Sequence, residues 1–489
     1  MDADLRAMKT RYLVIAVLSF FITLSCWSFS SSIGSGGDID AHISSIWCAW
    51  GEKPGMCENS NDSTAQVPYM FQMCNGRPID SWPNCELSQS SETMQELRTI
   101  REVQRSPYYS IMRVFATTNP QQSILNMRMV NTLIASLILF GLLKLTSGRT
   151  RVAAISAMTF TLVPVAIMRI SSINPQGWAT LGVMTSWAFL HGFLNTPKSD
   201  KNKKLLLAFF IFSVLLPATT RVDSTTYVVF TSVIVLLNHY RTARRISQTE
   251  KMIGLGLIAV CLSIIKLSEH IRGYLLLSKP IGSQFNHYLL FQLIHIPEAL
   301  VEVFGYAVGQ QGNGPGLVGI IGLSLFVISL TFALQQSQKQ DLAIPGIIAA
   351  FLAVAMYKGS LITLSLVPLP GAYALGLMSF LLGISMANSR SDKQFMKSRG
   401  NRITVISLLA FTHALTLFSW MELYTHGQSS IGFFSKQILG SYDRLSLNGG
   451  WWWDTPIGPN VVFLLGIASF PLFLVYSWKI VGLDHQSTE

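Results

Sequence analysis

An all-α, polytopic membrane protein with about twelve transmembrane helices is the fold class this sequence predicts, and three observations predict it. Half of its 489 residues are hydrophobic and only 12% are charged. A soluble domain carries about 25% charged residues. Mean hydropathy is +0.40. Twelve apolar stretches approach the roughly 20 residues needed to cross a bilayer. Basic residues gather on alternate loops. Composition excludes a soluble enzyme, a disordered chain and a fibrous repeat.

The stretches, in order, are 12–32, 125–145, 151–170, 176–194, 205–219, 224–240, 252–270, 317–335, 343–358, 361–387, 402–422 and 460–480. With the N-terminus inside, the inside loops hold 21 of the 36 Lys and Arg residues but 8 of the 25 acids. That asymmetry is the positive-inside rule. It predicts a multi-pass protein of the cell (plasma) membrane with both termini cytoplasmic. It also accounts for the net charge of +11, so no nucleic-acid partner is expected. The first stretch begins like a signal peptide, but its apolar run from Tyr12 to Phe29 exceeds the 7–15 residues of a signal core. It reads as a retained span.

The predicted organisation is a cytoplasmic N-terminus and first span over 1–33, an extracytoplasmic loop over 34–122, and spans two to seven over 123–270. An outer loop over 271–316, spans eight to eleven over 317–422, a Trp-rich outer loop over 423–459, and the last span with a cytoplasmic tail over 460–489 follow. The first outer loop contains Cys48, Cys57, Cys74 and Cys85, four of the six cysteines. An exported compartment is oxidising, so two disulfides are expected. Three pairings are open. Spacings of 9, 17 and 11 lack the close pairs of a zinc site. In the same loop Met94, Leu97, Ile100 and Val103 recur every third residue behind Ser90-Ser91. This pattern predicts an amphipathic helix.

Other motifs carry less. Gly314-Pro315-Gly316-Leu317-Val318-Gly319 matches GxGxxG but has no strand before it, and reads as a turn entering a span. Trp451-Trp452-Trp453-Asp454 reads first as an interfacial belt, with sugar stacking on Trp453 as the alternative. Walker A, HExxH and GxSxG motifs are absent from the sequence, which removes the residues for ATP-driven transport, zinc proteolysis and serine hydrolysis.

The candidate chemistry lies just past the first span, in Gly36-Gly37-Asp38-Ile39-Asp40-Ala41-His42. In an extended chain Asp38 and Asp40 share a side; in a helix Asp38 and His42 share a face. A carboxylate here can act as a general base, and the pair can hold a divalent cation such as Mg or Mn through oxygen. The competing reading is a helix cap. Near the same membrane face lie Tyr108, Tyr109, Arg128, Arg169, Asn174, Arg221 and Asp223. Arginines can hold phosphate in bidentate fashion, although each alone also suits an interface anchor or an ion pair.

These residues resemble the GT-C membrane glycosyltransferases: an acidic motif after span one, a long first outer loop and about a dozen spans. More narrowly, the chain is similar to a bacterial family of predicted multi-pass membrane proteins of unknown function. That family pairs Asp-Glu-x-x-His after span one with a Tyr-Tyr pair, an Arg opening span two and an Asn-Pro-Asp-Gly turn before span four. The matching residues are Asp38 with His42, Tyr108-Tyr109, Arg128 and Asn174-Pro175-Gln176-Gly177. Ile39 stands where the family has Glu, with Asp40 restoring a second acid, and Gln176 stands for its Asp. The resemblance implies a polyprenyl-phosphate-linked sugar donor, used at the outer face with inversion. The acceptor is an envelope glycan, lipid or protein. Asp38 is the implied base, Asp40 its helper or metal ligand and His42 its orienter, with Arg221 or Arg128 on the phosphate. Tyr108, Tyr109, Arg169, Asn174, Asp223, Trp453 and Asp454 complete the expected substrate contacts, and membrane lipids surround the spans.

Rival readings make distinct demands. A lipid-linked-substrate transporter or flippase needs polar residues at the bilayer midplane and broken, repeated helices. Here most charged residues outside the inside loops gather at the outer face, with Lys266 and Glu269 the nearest exceptions. A polysaccharide polymerase or ligase calls for a late outer loop rich in Arg and His, whereas 423–459 has only His426, Lys436 and Arg444. A structural protein whose first loop binds a partner would tolerate loss of Asp38.

Overall fold

The computed structural model describes residues 2–31, 33, 39–60, 64–68, 94–98, 106–220, 222–243, 248, 252, 254, 256, 300, 301, 303–305, 316–337, 341–363, 372–389, 396, 398–426, 453 and 457–486. Among the described residues the architecture is a helix bundle with one two-stranded antiparallel sheet. In chain order its elements are α1 (Asp2–Phe29), α2 (Ile39–Trp47), β1 (Thr64–Pro68), β2 (Met94–Arg98), α3 (Pro107–Met112), α4 (Pro120–Leu145), α5 (Gly148–Thr161), α6 (Pro164–Ser171) and α7 (Gln176–Asn195). There follow α8 (Asn202–Ala218), α9 (Val222–Ala243), α10 (Gly316–Gln335), α11 (Ala343–Thr363), α12 (Ala372–Asn388), α13 (Arg399–His426) and α14 (Pro459–Gln486).

Among the described residues, five helices are long and apolar enough to cross a membrane: Ala7–Phe29, Pro120–Leu145, Leu317–Gln335, Arg399–Met421 and Pro459–Leu483. They coincide with predicted spans one, two, eight, eleven and twelve. The third predicted span, 151–170, is two helices, α5 and α6, bent by 93° at their junction. Pro164 explains the break. It sits at the first position of α6, where its missing N–H costs nothing, but inside one continuous helix it would remove a backbone bond. The seventh predicted span lies almost wholly outside the described residues.

The amphipathic helix expected over Met94–Val103 is corrected. Met94–Arg98 is a strand, paired antiparallel with Thr64–Pro68, with Leu97 opposite Ala65 and Gln95 opposite Val67. Leu97, Ala65 and Val67 are buried. A period of three in sequence is blind to a strand partner some thirty residues upstream, and burial against that partner decides the local conformation.

α1 packs along α14 and α4, and Thr23 Oγ1 lies 2.9 Å from Ser469 Oγ across the first of these contacts. α7 is the central helix, packed by α8, α9, α12 and α6. Its close fit to α8 depends on Gly182, where a Cβ would collide with the Pro217 ring. Alternating helix directions divide the bundle into two ends. One gathers Phe29, Asn119, Ser171–Gln176 and Thr219; the other gathers the Lys144–Arg151, Lys198–Lys204 and Arg241 segments.

Candidate functional site

The first-loop end of the bundle holds a continuous polar and aromatic cluster. Its local structure is set by caps. Asn119 accepts a hydrogen bond from the Gln122 amide and Pro120 opens α4. Ser106 caps α3 by accepting from the Tyr108 amide, and its hydroxyl donates to the Thr219 carbonyl at 2.5 Å. The Tyr108 amide also donates to Thr219 O. α3 is thereby fastened to the end of α8, which fixes both tyrosines.

Tyr108 and Tyr109 are buried. The Tyr108 hydroxyl donates to Ile173 O at 2.7 Å, and its ring meets Trp178 edge-on with centroids 4.9 Å apart. Burial pushes the Tyr108 phenol well above its ordinary range, against a smaller opposing effect of Asn131, so it stays neutral and acts as a donor. Tyr109 turns the other way: its hydroxyl lies 2.9 Å from His42 Nδ1. His42 is 4% exposed and sits on α2. A tyrosine hydroxyl on one imidazole nitrogen holds the ring in place and biases its tautomer.

Arg128 lies at the start of α4, 2% exposed. Its Nη1 donates to Ser28 O at 2.7 Å and Ser31 O at 2.9 Å. These carbonyls end α1, where a cation is favoured by the helix dipole. Its guanidinium stands 5.4 Å from the Trp453 ring centroid, at cation–π distance. Trp453 in turn donates from Nε1 to Phe29 O at 2.9 Å and is buried. An interfacial belt residue would face lipid; this one closes the end of α1. One turn beyond Arg128, Asn131 donates to Ser172 O at 2.5 Å and accepts from Trp178 Nε1 at 2.7 Å.

The turn between α6 and α7 completes the cluster. The Asn174 side chain accepts from the Gln176 amide at 2.9 Å, and Gly177 N donates to Asn174 O at 3.0 Å. A Cβ at Gly177 would collide with the Arg169 carbonyl, so only glycine allows α7 to begin so close to the end of α6. Arg169 itself is half-buried in the last turn of α6.

Of the predicted site residues, the structure therefore brings together His42, Tyr108, Tyr109, Arg128, Asn174 and Trp453, with Arg169 beside the turn. Asp38, Arg221, Asp454, Cys74 and Cys85 lie outside the described residues. Asp40 and Asp223 are on α2 and α9, and their side chains lie outside the described residues too. α2 is helical from Ile39, so the extended alternative that aligned Asp38 with Asp40 does not hold there. Cys48 and Cys57 stand at disulfide distance, with S–S 2.01 Å and Cα–Cα 5.3 Å.

Sequence reasoning missed Asn131, Trp178, Ser28 and Ser106. A signal for the first existed: an Asn inside an apolar stretch, where an unpaired amide is costly, implies a buried partner. Among the described residues no group of three or more His, Cys, Asp and Glu could hold a metal ion. The described polar groups here are a guanidinium, two phenols, two side-chain amides and an imidazole already bonded to Tyr109, which do not make a cation site.

Fold and site together define a multi-pass helical membrane protein with a polar, aromatic cluster at one end of its bundle. The chain belongs to the family described as "Predicted membrane protein (DUF2142)", whose model matches residues 20–357. That match spans every clustered residue except Trp453, and it agrees with the narrower of the two resemblances, a membrane family of unknown function. No curated protein and no solved structure matches the chain.

Proposed function

We propose that the protein is a GT-C type glycosyltransferase of the cell membrane, with about twelve spans and both termini in the cytoplasm. It transfers a hexosyl or pentosyl group from a polyprenyl-phosphate donor to an envelope glycan, lipid or protein at the extracytoplasmic face. The observation that carries this reading is the convergence of His42, Tyr108, Tyr109, Arg128, Asn174 and Trp453 on the bundle end from which the Asp38 segment emerges. Two of these residues, Arg128 and Trp453, are more than 300 positions apart in sequence and meet there.

In this reading Asp38 removes the proton from the acceptor hydroxyl. The oxygen attacks the anomeric carbon, the carbon–oxygen bond to phosphate breaks with inversion, and polyprenyl phosphate leaves with the electron pair. His42, held by Tyr109, orients the acceptor. Arg128 is engaged with the carbonyls that end α1, so its role is to position the segment leading to Asp38, and Arg221 takes the phosphate. Nucleotide sugars are absent outside the cell, so a polyprenyl-phosphate donor needs no nucleotide-binding fold at this face.

The test is a transfer assay on purified protein with a panel of radiolabelled polyprenyl-phosphate sugars and envelope extract. Wild type and Asp38→Asn are compared, each with and without a divalent-metal chelator. Transfer lost in Asp38→Asn supports the reading, and the chelator arm decides whether transfer needs a divalent cation. Transfer unchanged in that variant returns Asp38 to helix capping.

A further inference from the structure

The opposite, basic end of the bundle contains a cavity of about 390 Å³ where α5, α7, α9 and α12 meet. Its lining includes Ser147, Arg149, Thr150, His191, Asn195 and His239. Among the described residues that line it there is neither Asp nor Glu. The volume falls within the roughly 300–1,000 Å³ of small-molecule sites.

Three features make its chemistry that of an anion site. First, α5 begins in its wall. Ser147 is the capping residue, with extended backbone, and makes no side-chain capping bond. The first amides of a helix lack intrahelical acceptors and sit at the positive end of its dipole. Gly148, at φ +49°, makes the abrupt turn from α4 into α5. Second, Arg149 stands exposed at the rim. A guanidinium fork matches phosphate oxygens in bidentate fashion. Third, the wall is held rigid by bonds among its polar groups. Thr150 Oγ1 lies 2.9 Å from His191 Nδ1, and Asn195 donates to His191 O at 2.8 Å. Asn238 and Asn388 exchange reciprocal amide bonds of 2.9 and 3.2 Å between α9 and α12.

We infer that this cavity binds a phosphate group at the basic end of the bundle, which the proposed topology places in the cytoplasm. The group sits on the first amides of α5 and in the fork of Arg149, with His191 and His239 beside it. It is distinct from the cluster at the first-loop end, and it stands or falls independently of glycosyl transfer. Two sources carry this chemistry: a soluble phosphate compound and an anionic lipid headgroup.

The test uses the full chain in nanodiscs and reads the thermal-unfolding midpoint. In one arm inorganic phosphate is titrated into phosphatidylcholine discs. In the other, phosphatidylglycerol replaces phosphatidylcholine stepwise. The expected result is saturable stabilisation in at least one arm; response to inorganic phosphate identifies a soluble ligand, and response to phosphatidylglycerol alone identifies a headgroup. Arg149→Gln should weaken the apparent affinity at least about tenfold, the loss of one bidentate charge-assisted contact. Lys144→Gln removes an equal charge from a residue outside the cavity lining and should change it less than about threefold. No saturable response in either arm, or an equal loss in both variants, overturns the site.

Discussion

Replacing Asn131 with Leu keeps the apolar character of α4 and removes both bonds of the amide. In the native protein those bonds reach Ser172 O at 2.5 Å and Trp178 Nε1 at 2.7 Å. Trp178 is 5% exposed, so its indole N–H cannot turn to solvent when the acceptor goes. Leaving a buried polar group unpaired costs about 1–3 kcal/mol. Bonds between membrane helices average only about 0.6 kcal/mol, because the unfolded chain in lipid also finds partners. Two partners are orphaned at once, which places Asn131→Leu at about 2 kcal/mol of destabilisation. A double-mutant cycle isolates the cause. Trp178→Phe removes the orphaned donor, so the double variant should be about 1 kcal/mol more stable than the sum of the two single losses predicts. Reversible unfolding in micelles or bilayers measures all four proteins. Strict additivity would refute the Asn131–Trp178 link, and an Asn131→Leu protein as stable as wild type would refute the amide bridge altogether.

Tyr108→Phe tests the buried phenol. The folded-state pKa is raised above its ordinary value of 10.0, so the burial contribution is fully present below about pH 10 and falls as pH rises beyond it, where only the unfolded chain loses the proton. Wild type should therefore lose more stability than Tyr108→Phe between pH 9 and pH 11, read from unfolding midpoints; parallel loss contradicts it. Gly177→Ala should destabilise by about 1–3 kcal/mol, because its methyl meets the Arg169 carbonyl backbone, and the same unfolding measurement checks this. Non-reducing peptide mapping should recover Cys48 joined to Cys57. Substituting both with Ser should cost about 2.5 kcal/mol by loop-closure entropy, a figure set by their separation of 9 residues.

The strongest local patterns were legible in the sequence. α1, α4, α10, α13 and α14 are long apolar runs whose length alone implies a span. The break before Pro164 was hidden because hydropathy over 151–170 is continuous, while the bend depends on one missing N–H. Met94–Arg98 was misread because its partner, Thr64–Pro68, is remote in sequence. At the site, His42 and Tyr108-Tyr109 were recognisable from a motif. Their grouping was not, since it passes through Asn131, Trp178 and backbone carbonyls at Ile173 and Ser172. Carbonyl acceptors carry no sequence signature. Trp453 was visible in its Trp run, but its place against Arg128 spans more than 300 positions.

Whether Asp38 is the base of a glycosyl transfer is decided by the rate of sugar transfer by purified wild type and Asp38→Asn, at matched fold and donor concentration. Removing a general base typically costs about 10²–10⁴-fold. The expected result is a loss of at least about 100-fold, with the unfolding midpoint of the variant unchanged. Transfer by Asp38→Asn at the wild-type rate, with the protein intact, would contradict it.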